Sequence, residues 1–265
     1  MNLQDLTQQV IHIAKEAGQF IRSERQIFNY QNVEVKGLND LVSYVDKTSE
    51  KMIVEKLANV FPEAGFIVEE DTKSDTKSYN WIVDPLDGTT NFVHGIPCYA
   101  VSIALEYQGE IILGVVYEVA QDECFWAYKN GGAYLNGQKV QVSQRKNLSE
   151  SLIATGFPIY NFSRLDSYLQ VFTHLMKNTH GIRRIGAAAA DLCYLACGRV
   201  DAFFEYNLNA WDVAAGALIV KEAGGQVTDF TLQNNWLFGK EIIASNALLK
   251  GEFGCLVQEK FKLNP

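Results

Sequence analysis

A mixed α/β fold, α+β in its first half and α/β in its second, is what this 265-residue sequence predicts. Three observations carry the prediction. Apolar residues recur at helical period over the first 60 positions, glycine-broken strand patterns follow one another from Ala100 to Val142, and short strands alternate with helices after Ser151.

Leu3, Leu6, Val10, Ile13, Ala14, Ala17 and Ile21 form one apolar stripe and predict an amphipathic first helix, ending before the polar stretch Asn29 to Asn39. A second helix is expected from about Ser43 to Val60, with Val45, Met52, Ile53 and Leu57 inward and Phe61-Pro62 ending it. Gly65 to Val68 reads as a short strand running into Glu69-Glu70. Tyr79 to Val83 reads as another, running into Asp84, so the two acidic ends can meet. Ile111 to Val119, Glu123 to Tyr128 and Lys139 to Val142 then form antiparallel hairpins, broken at Gly109, Asn130-Gly131-Gly132 and Asn136-Gly137. The polar stretch Ser143 to Ser151 changes the rhythm, and a boundary near Asn147 divides the chain into an amino-terminal half, 1–147, and a carboxy-terminal half, 148–265. The second half opens with a strand at Leu152 to Thr155, a helix near Arg164 to Met176 and a small-residue helix near Ala187 to Cys197, which fits a mixed or parallel sheet.

Composition narrows the partners. With 48% hydrophobic residues the chain builds a substantial core, and a net charge of −8 argues against an extended nucleic-acid surface or an anionic membrane. Five cysteines, odd in number and without a CxxC pair, read as reduced thiols of a cytoplasmic protein, and Cys193 and Cys197 as small packing residues. The start, Met1-Asn2-Leu3-Gln4-Asp5, lacks the basic residues and apolar core of an export signal, and no stretch approaches the roughly 20 apolar residues a membrane span needs.

The chemistry concentrates in Trp81-Ile82-Val83-Asp84-Pro85-Leu86-Asp87-Gly88-Thr89-Thr90-Asn91-Phe92. Asp84 and Asp87 leave the strand on a tight turn, Pro85 fixes the backbone between them, and the Gly88 and Thr89 amides are free to face an anion. Two aspartates in a turn are more often mere caps, but the ordered string of glycine, two threonines and asparagine outweighs that reading. Glu69, Asp84, Asp87 and Asp212 each adjoin apolar, core-like segments, and buried carboxylates need cations. Oxygen donors without a nearby histidine favour magnesium, with manganese as the alternative.

Asp84 to Phe92 resembles the first signature of the inositol monophosphatase family. Trp211-Asp212-Val213-Ala214-Ala215-Gly216, followed by Glu222-Ala223-Gly224-Gly225, is similar to its second, and Glu69-Glu70, Asn136-Gly137 and Gly181-Ile182-Arg183-Arg184 complete the match in order. The resemblance implies a layered αβαβα sandwich, sugar-phosphatase-like, with an antiparallel sheet in the amino-terminal half and a mixed sheet in the carboxy-terminal half, and Mg2+-dependent hydrolysis of a small phosphate monoester with two or three ions. It implies side-chain ligands Glu69, Asp84, Asp87 and Asp212 with the Leu86 carbonyl, and Glu70 as the alternative to Glu69. Gly88 and Thr89 amides would hold phosphate, and Glu69 and Thr89, with Asp46 behind Thr89, would orient the attacking water. Asp87, Gly186, Ala187, Ala188, Glu205 and Asp212 would face the alcohol, Ala187 standing where the family often carries a hydroxyl. The resemblance further implies a homodimer and lithium sensitivity. Myo-inositol monophosphate is the expected substrate, NADP and fructose 1,6-bisphosphate are the alternatives, and a non-catalytic regulatory binding protein is the reading from another class.

Overall fold

A computed structural model describes residues 2–29, 33–37, 40–71, 73, 75–158 and 161–262. The chain runs through α1 (Leu3–Ile27), β1 (Val33–Gly37), β2 (Asp40–Ser43), α2 (Tyr44–Val60), β3 (Gly65–Val68), β4 (Tyr79–Asp87), α3 (Thr89–His94), β5 (Ala100–Tyr107), β6 (Glu110–Glu118), β7 (Glu123–Tyr128), β8 (Gly132–Leu135) and β9 (Gln138–Val140). It continues through β10 (Leu152–Thr155), α4 (Leu165–Asn178), β11 (Gly181–Arg183), α5 (Ala188–Ala196), β12 (Ala202–Tyr206), α6 (Ala210–Glu222), β13 (Gly225–Thr228), β14 (Glu241–Asn246) and α7 (Lys250–Lys262).

Among the described residues, β3 to β9 form a seven-stranded sheet in sequence order, and β11-β10-β12-β14-β13 form a five-stranded one. Helices α1 and α2 cover the outer face of the first sheet, α5 and α6 lie between the sheets, and α4 and α7 cover the second. Three apolar clusters fill the three spaces: Val10, Ile53 and Trp81 under α1 and α2; Ala104, Leu192 and Ala215 between the sheets; Phe204, Val171 and Phe253 under α4 and α7. This is the αβαβα sandwich, and the solved relatives reported below share it.

Local chemistry accounts for the helices that bear on the site. Ser43 caps α2 in a capping box with Asp46, and the apolar stripe read in α1 is its buried face. In α2, Met52 is only half-buried and Val54 is buried instead, because the packed face is set by contact with α1 and β4 rather than by period alone.

The strands differ from expectation in several places. The seven-stranded sheet is not wholly antiparallel, since β3 and β4 run parallel at its edge. Asp84 and Asp87 do not leave the strand on a turn: both belong to β4, which carries one extra residue against β5 between the pairs Asp84–Ser102 and Asp87–Ala100. Pro85, which has no amide to donate to a ladder, sits in that bulge. Gly132 opens β8, and the last strand ends at Val140, so Lys139 to Val142 divides between strand and loop. The polar stretch read before α2 holds β1, whose hairpin partner β2 follows it directly, and its residues 30–32, 38 and 39 lie outside the described residues. In the five-stranded sheet β10 is parallel to both neighbours while β12, β14 and β13 are antiparallel, so it is mixed.

Candidate active site

The parallel pair at the edge of the first sheet builds the site. Val68 lies opposite Val83, so the next residues along, Glu69 and Asp84, emerge side by side from β3 and β4. The bulge then turns Asp87 toward α5, where its carboxylate accepts from the amides of Ala188 at 3.2 Å and Ala189 at 2.7 Å. Ala187, the residue before α5, has no side chain able to cap the helix, and Asp87 does this from the other half of the chain. Asp212 enters from the first turn of α6, where it accepts the Asn209 amide at 2.6 Å; Ser102 of β5 ties that turn down through the Trp211 carbonyl.

These acids face one another across a cleft. Burial raises the Asp84 carboxyl well above the usual range, and the charges of Glu69, Asp87 and Asp212 add to it; Asp84 also shares hydrogen bonds with Glu69 and Asp212. Asp212 is pushed up to about 7, by burial and then by the charge of Asp87. Asp87 rises only to about 6, because the α5 amides offset its burial. Glu205, at the end of β12, is buried and raised by desolvation and by Asp212.

A second group lies beside them. The Thr89 hydroxyl donates to Asp46 Oδ1 at 2.8 Å, with the Leu86 carbonyl at 3.0 Å as a shared acceptor. Asp46 is itself fixed by the Ser43 amide at 2.8 Å and hydroxyl at 2.7 Å. Gly88 precedes α3 with φ 88°, a left-handed conformation that glycine adopts without strain and that starts the helix without a side-chain cap. Asn91 Nδ2 bridges the Cys98 and Ile185 carbonyls at 2.8 and 2.9 Å, which holds the Ile185–Ala187 loop against α3.

The cleft is lined by Glu69, Asp84, Asp87 and Asp212, by Gly88 and Thr89, and on the other wall by Gly186, Ala187, Ala188 and Glu205. The sequence-derived candidates therefore converge, with Asp46 one hydrogen bond behind the surface. Glu70 is not among the lining residues; its amide donates to Glu50 at 2.7 Å. Phe157 also lines the cleft, whereas the nearby residues 159 and 160 lie outside the described residues. His94 is exposed at the end of α3, away from the cleft lining.

The lining also includes residues that were given no role from the sequence, Asp191, Asn207 and Arg184 among them. Asp191 is almost fully buried on α5, and among the described residues its Oδ1 has no hydrogen-bond partner. An acid inside the alanine run of a helix was its available signal.

The donor set, carboxylates with a backbone carbonyl, has the chemistry of a hard divalent cation, and mutual repulsion among buried acids is what such a cation removes. Among the described residues no three such side chains converge as a finished metal site. The fit rests on donor type and charge.

Residues 2–260 match the inositol monophosphatase family. An inositol-1-monophosphatase of Rhizobium meliloti is 47% identical over 209 residues, 77% of this chain and 79% of that protein. The Nus factor SuhB of Pseudomonas aeruginosa is 42% identical over 250 residues, 92% of each chain. Among solved structures, the suhB extragenic suppressor protein of Bartonella henselae superposes with a TM-score of 0.90 at 40% identity, over 96% of this chain and 99% of that one.

Proposed function

The chain belongs to the inositol monophosphatase family, and on that footing we propose that it hydrolyses a small phosphate monoester with magnesium, myo-inositol monophosphate ranking first and NADP or fructose 1,6-bisphosphate second. The observation that carries this reading is the set of acids gathered from β3, β4 and α6, with Asp84 raised by Glu69, Asp87 and Asp212, beside the Gly88 and Thr89 amides. Bound by Glu69, Asp84, Asp87, Asp212 and the Leu86 carbonyl, two or three magnesium ions, or manganese in their place, would supply Lewis acidity and neutralise phosphate charge.

The remaining work falls to this chain's own groups. The Gly88 and Thr89 amides at the head of α3 would hold phosphoryl oxygens, as unpaired helix amides do. Because the Thr89 hydroxyl already donates to Asp46, its lone pairs remain to accept a proton from a water, and Glu69 would fix that water from the other side. Asp46 is buried and raised, so it is suited to the receiving end of that relay. Asp87, Gly186, Ala187, Ala188, Glu205 and Asp212 would face the leaving alcohol. Positioning and charge stabilisation then supply most of the acceleration, as is general in phosphoryl transfer. Dimerisation and lithium sensitivity belong to the same proposal.

The test is phosphate release, with and without magnesium, from inositol 1-phosphate, NADP, fructose 1,6-bisphosphate and 3′-phosphoadenosine 5′-phosphate. Magnesium-dependent release from at least one is expected, and silence on all four overturns the reading. The name of the Pseudomonas relative favours one other reading, a regulatory binding protein that acts as a Nus factor. A chain that binds magnesium but turns over none of the four would select it.

A further inference from the structure

Among the described residues lining the cleft, Arg184 is the sole lysine, arginine or histidine, set against Glu69, Asp84, Asp87, Asp191, Glu205 and Asp212. It follows β11 on the loop that leads to Gly186. Its guanidinium carbon lies 5.5 Å from the centre of the Phe157 ring. That ring is half-exposed at the lip of the cleft and is held edge-on against Tyr168, 6.3 Å away. On its other side, Arg184 Nη1 rests on Gly186, where any side chain would strike it. An aromatic face and a bare stretch of backbone thus seat the guanidinium. The Gly186 carbonyl is 3.2 Å from where a Gly88 side chain would begin, which puts this seat next to the proposed phosphate amides.

Arg184 has charge to offer. Its field lowers Asp87, Asp191 and Glu205, yet among the described residues it forms an ion pair with none of them. A cleft this acidic repels a second anion on the substrate, and one seated guanidinium at its lip reverses that at a single point. The planar fork matches a phosphoryl group bidentately, and the ring holding its stem limits the freedom lost on binding.

We propose that Arg184, seated on Phe157, receives a second phosphoryl group borne by the substrate's alcohol, so that the site accepts esters of already phosphorylated alcohols as well as phosphates of neutral polyols. The proposal rests on the phosphatase reading and names the substrate class within it. If Arg184 instead only balances the acids around it, its removal affects every substrate alike.

The test compares wild type with Arg184→Met, which keeps the apolar stem, and Arg184→Lys, which keeps the charge without the fork. The probes are inositol 1-phosphate, fructose 1,6-bisphosphate and 3′-phosphoadenosine 5′-phosphate, each read by kcat/KM and by calorimetric binding with magnesium. Arg184→Met is expected to weaken one or both bisphosphates about tenfold or more, with inositol 1-phosphate within about twofold and Arg184→Lys in between. Which bisphosphate loses more tells a sugar from a nucleotide. Equal losses on all three probes, or no loss on either bisphosphate, overturn the assignment. Binding decides the role of Arg184 even if no probe is turned over, so failure of the phosphatase reading is seen separately.

Discussion

Asp229 and Asp84 are both buried aspartates, and their surroundings treat them in opposite ways. Asp229, just after β13, accepts from the Thr231 amide and hydroxyl at 2.8 and 2.7 Å, the Gln233 amide at 2.9 Å and the Asn235 amide at 3.1 Å. These donors outweigh its burial and hold its carboxyl below the usual range. Asp84 faces Glu69, Asp87 and Asp212 and is held well above it. One aspartate organises a turn and stabilises the fold. The other is kept at a cost to the empty fold, which is how groups destined for a ligand or a reaction differ from groups that hold a structure together.

That contrast breaks most visibly at the acid cluster. Asp84→Asn or Asp212→Asn removes one repelling charge while keeping shape, so the metal-free melting temperature is expected to hold or rise while turnover falls at least ~10³-fold. The stabilisation that saturating magnesium gives, roughly 2.7 kcal/mol at a hundredfold excess over Kd, should shrink in the same variants. Thermal scans with and without magnesium beside phosphate release check both, and near-normal turnover in both variants would remove the ligand assignment. Thr89→Ala should separate the two functions: magnesium stabilisation largely kept, hydrolysis slowed about 10²-fold as the water loses its acceptor. A metal-binding defect without a rate defect would count against the Thr89–Asp46 relay.

The opposite result is expected at the turn. Asp229→Ala leaves several amides without their acceptor and should cost about 1–3 kcal/mol of stability with turnover unchanged. The sign of its pH dependence follows from the direction of the shift. A carboxyl lowered on folding contributes fully above its ordinary, unfolded range, and that contribution is lost as pH falls through the folded value. The stability gap between wild type and Asp229→Ala should therefore be constant at neutral pH and close in acid. A gap that widens in acid would mean the aspartate acts by some route other than its charge.

The same contrast explains what could be read in advance. Glu69 and Asp84 were legible because each follows an apolar run, and the parallel Val68–Val83 register then brings them together. The bulge was not, because a proline between two aspartates looks the same in a turn as in a strand that has gained one residue. Nothing near Asp87 announces that it caps a helix about a hundred residues later, and the only local hint at α5 is the absence of a capping side chain at Ala187. Arg184 entered the sequence match only as one of two adjacent arginines, and nothing beside it signals that the fold sets Phe157 beneath it. In each case the missing information is long-range packing, which periodicity and motif spacing do not carry.

The smallest expected effect tests how tightly the alcohol wall is fitted. Gly156, just after β10, lies so close to the Glu205 carboxylate that a methyl group there would occupy its space. Glu205 is buried and lifted by its surroundings, so it has little room to retreat except toward the cleft, where the alcohol would sit. Gly156→Ala is thus expected to raise KM for inositol 1-phosphate several-fold, within about 1 kcal/mol, while leaving kcat and magnesium stabilisation near wild type. A fall in kcat with KM unchanged would mean that the displaced carboxylate disturbs the acid cluster itself, and that the two walls of the cleft are one mechanical unit rather than separate binding and reaction surfaces.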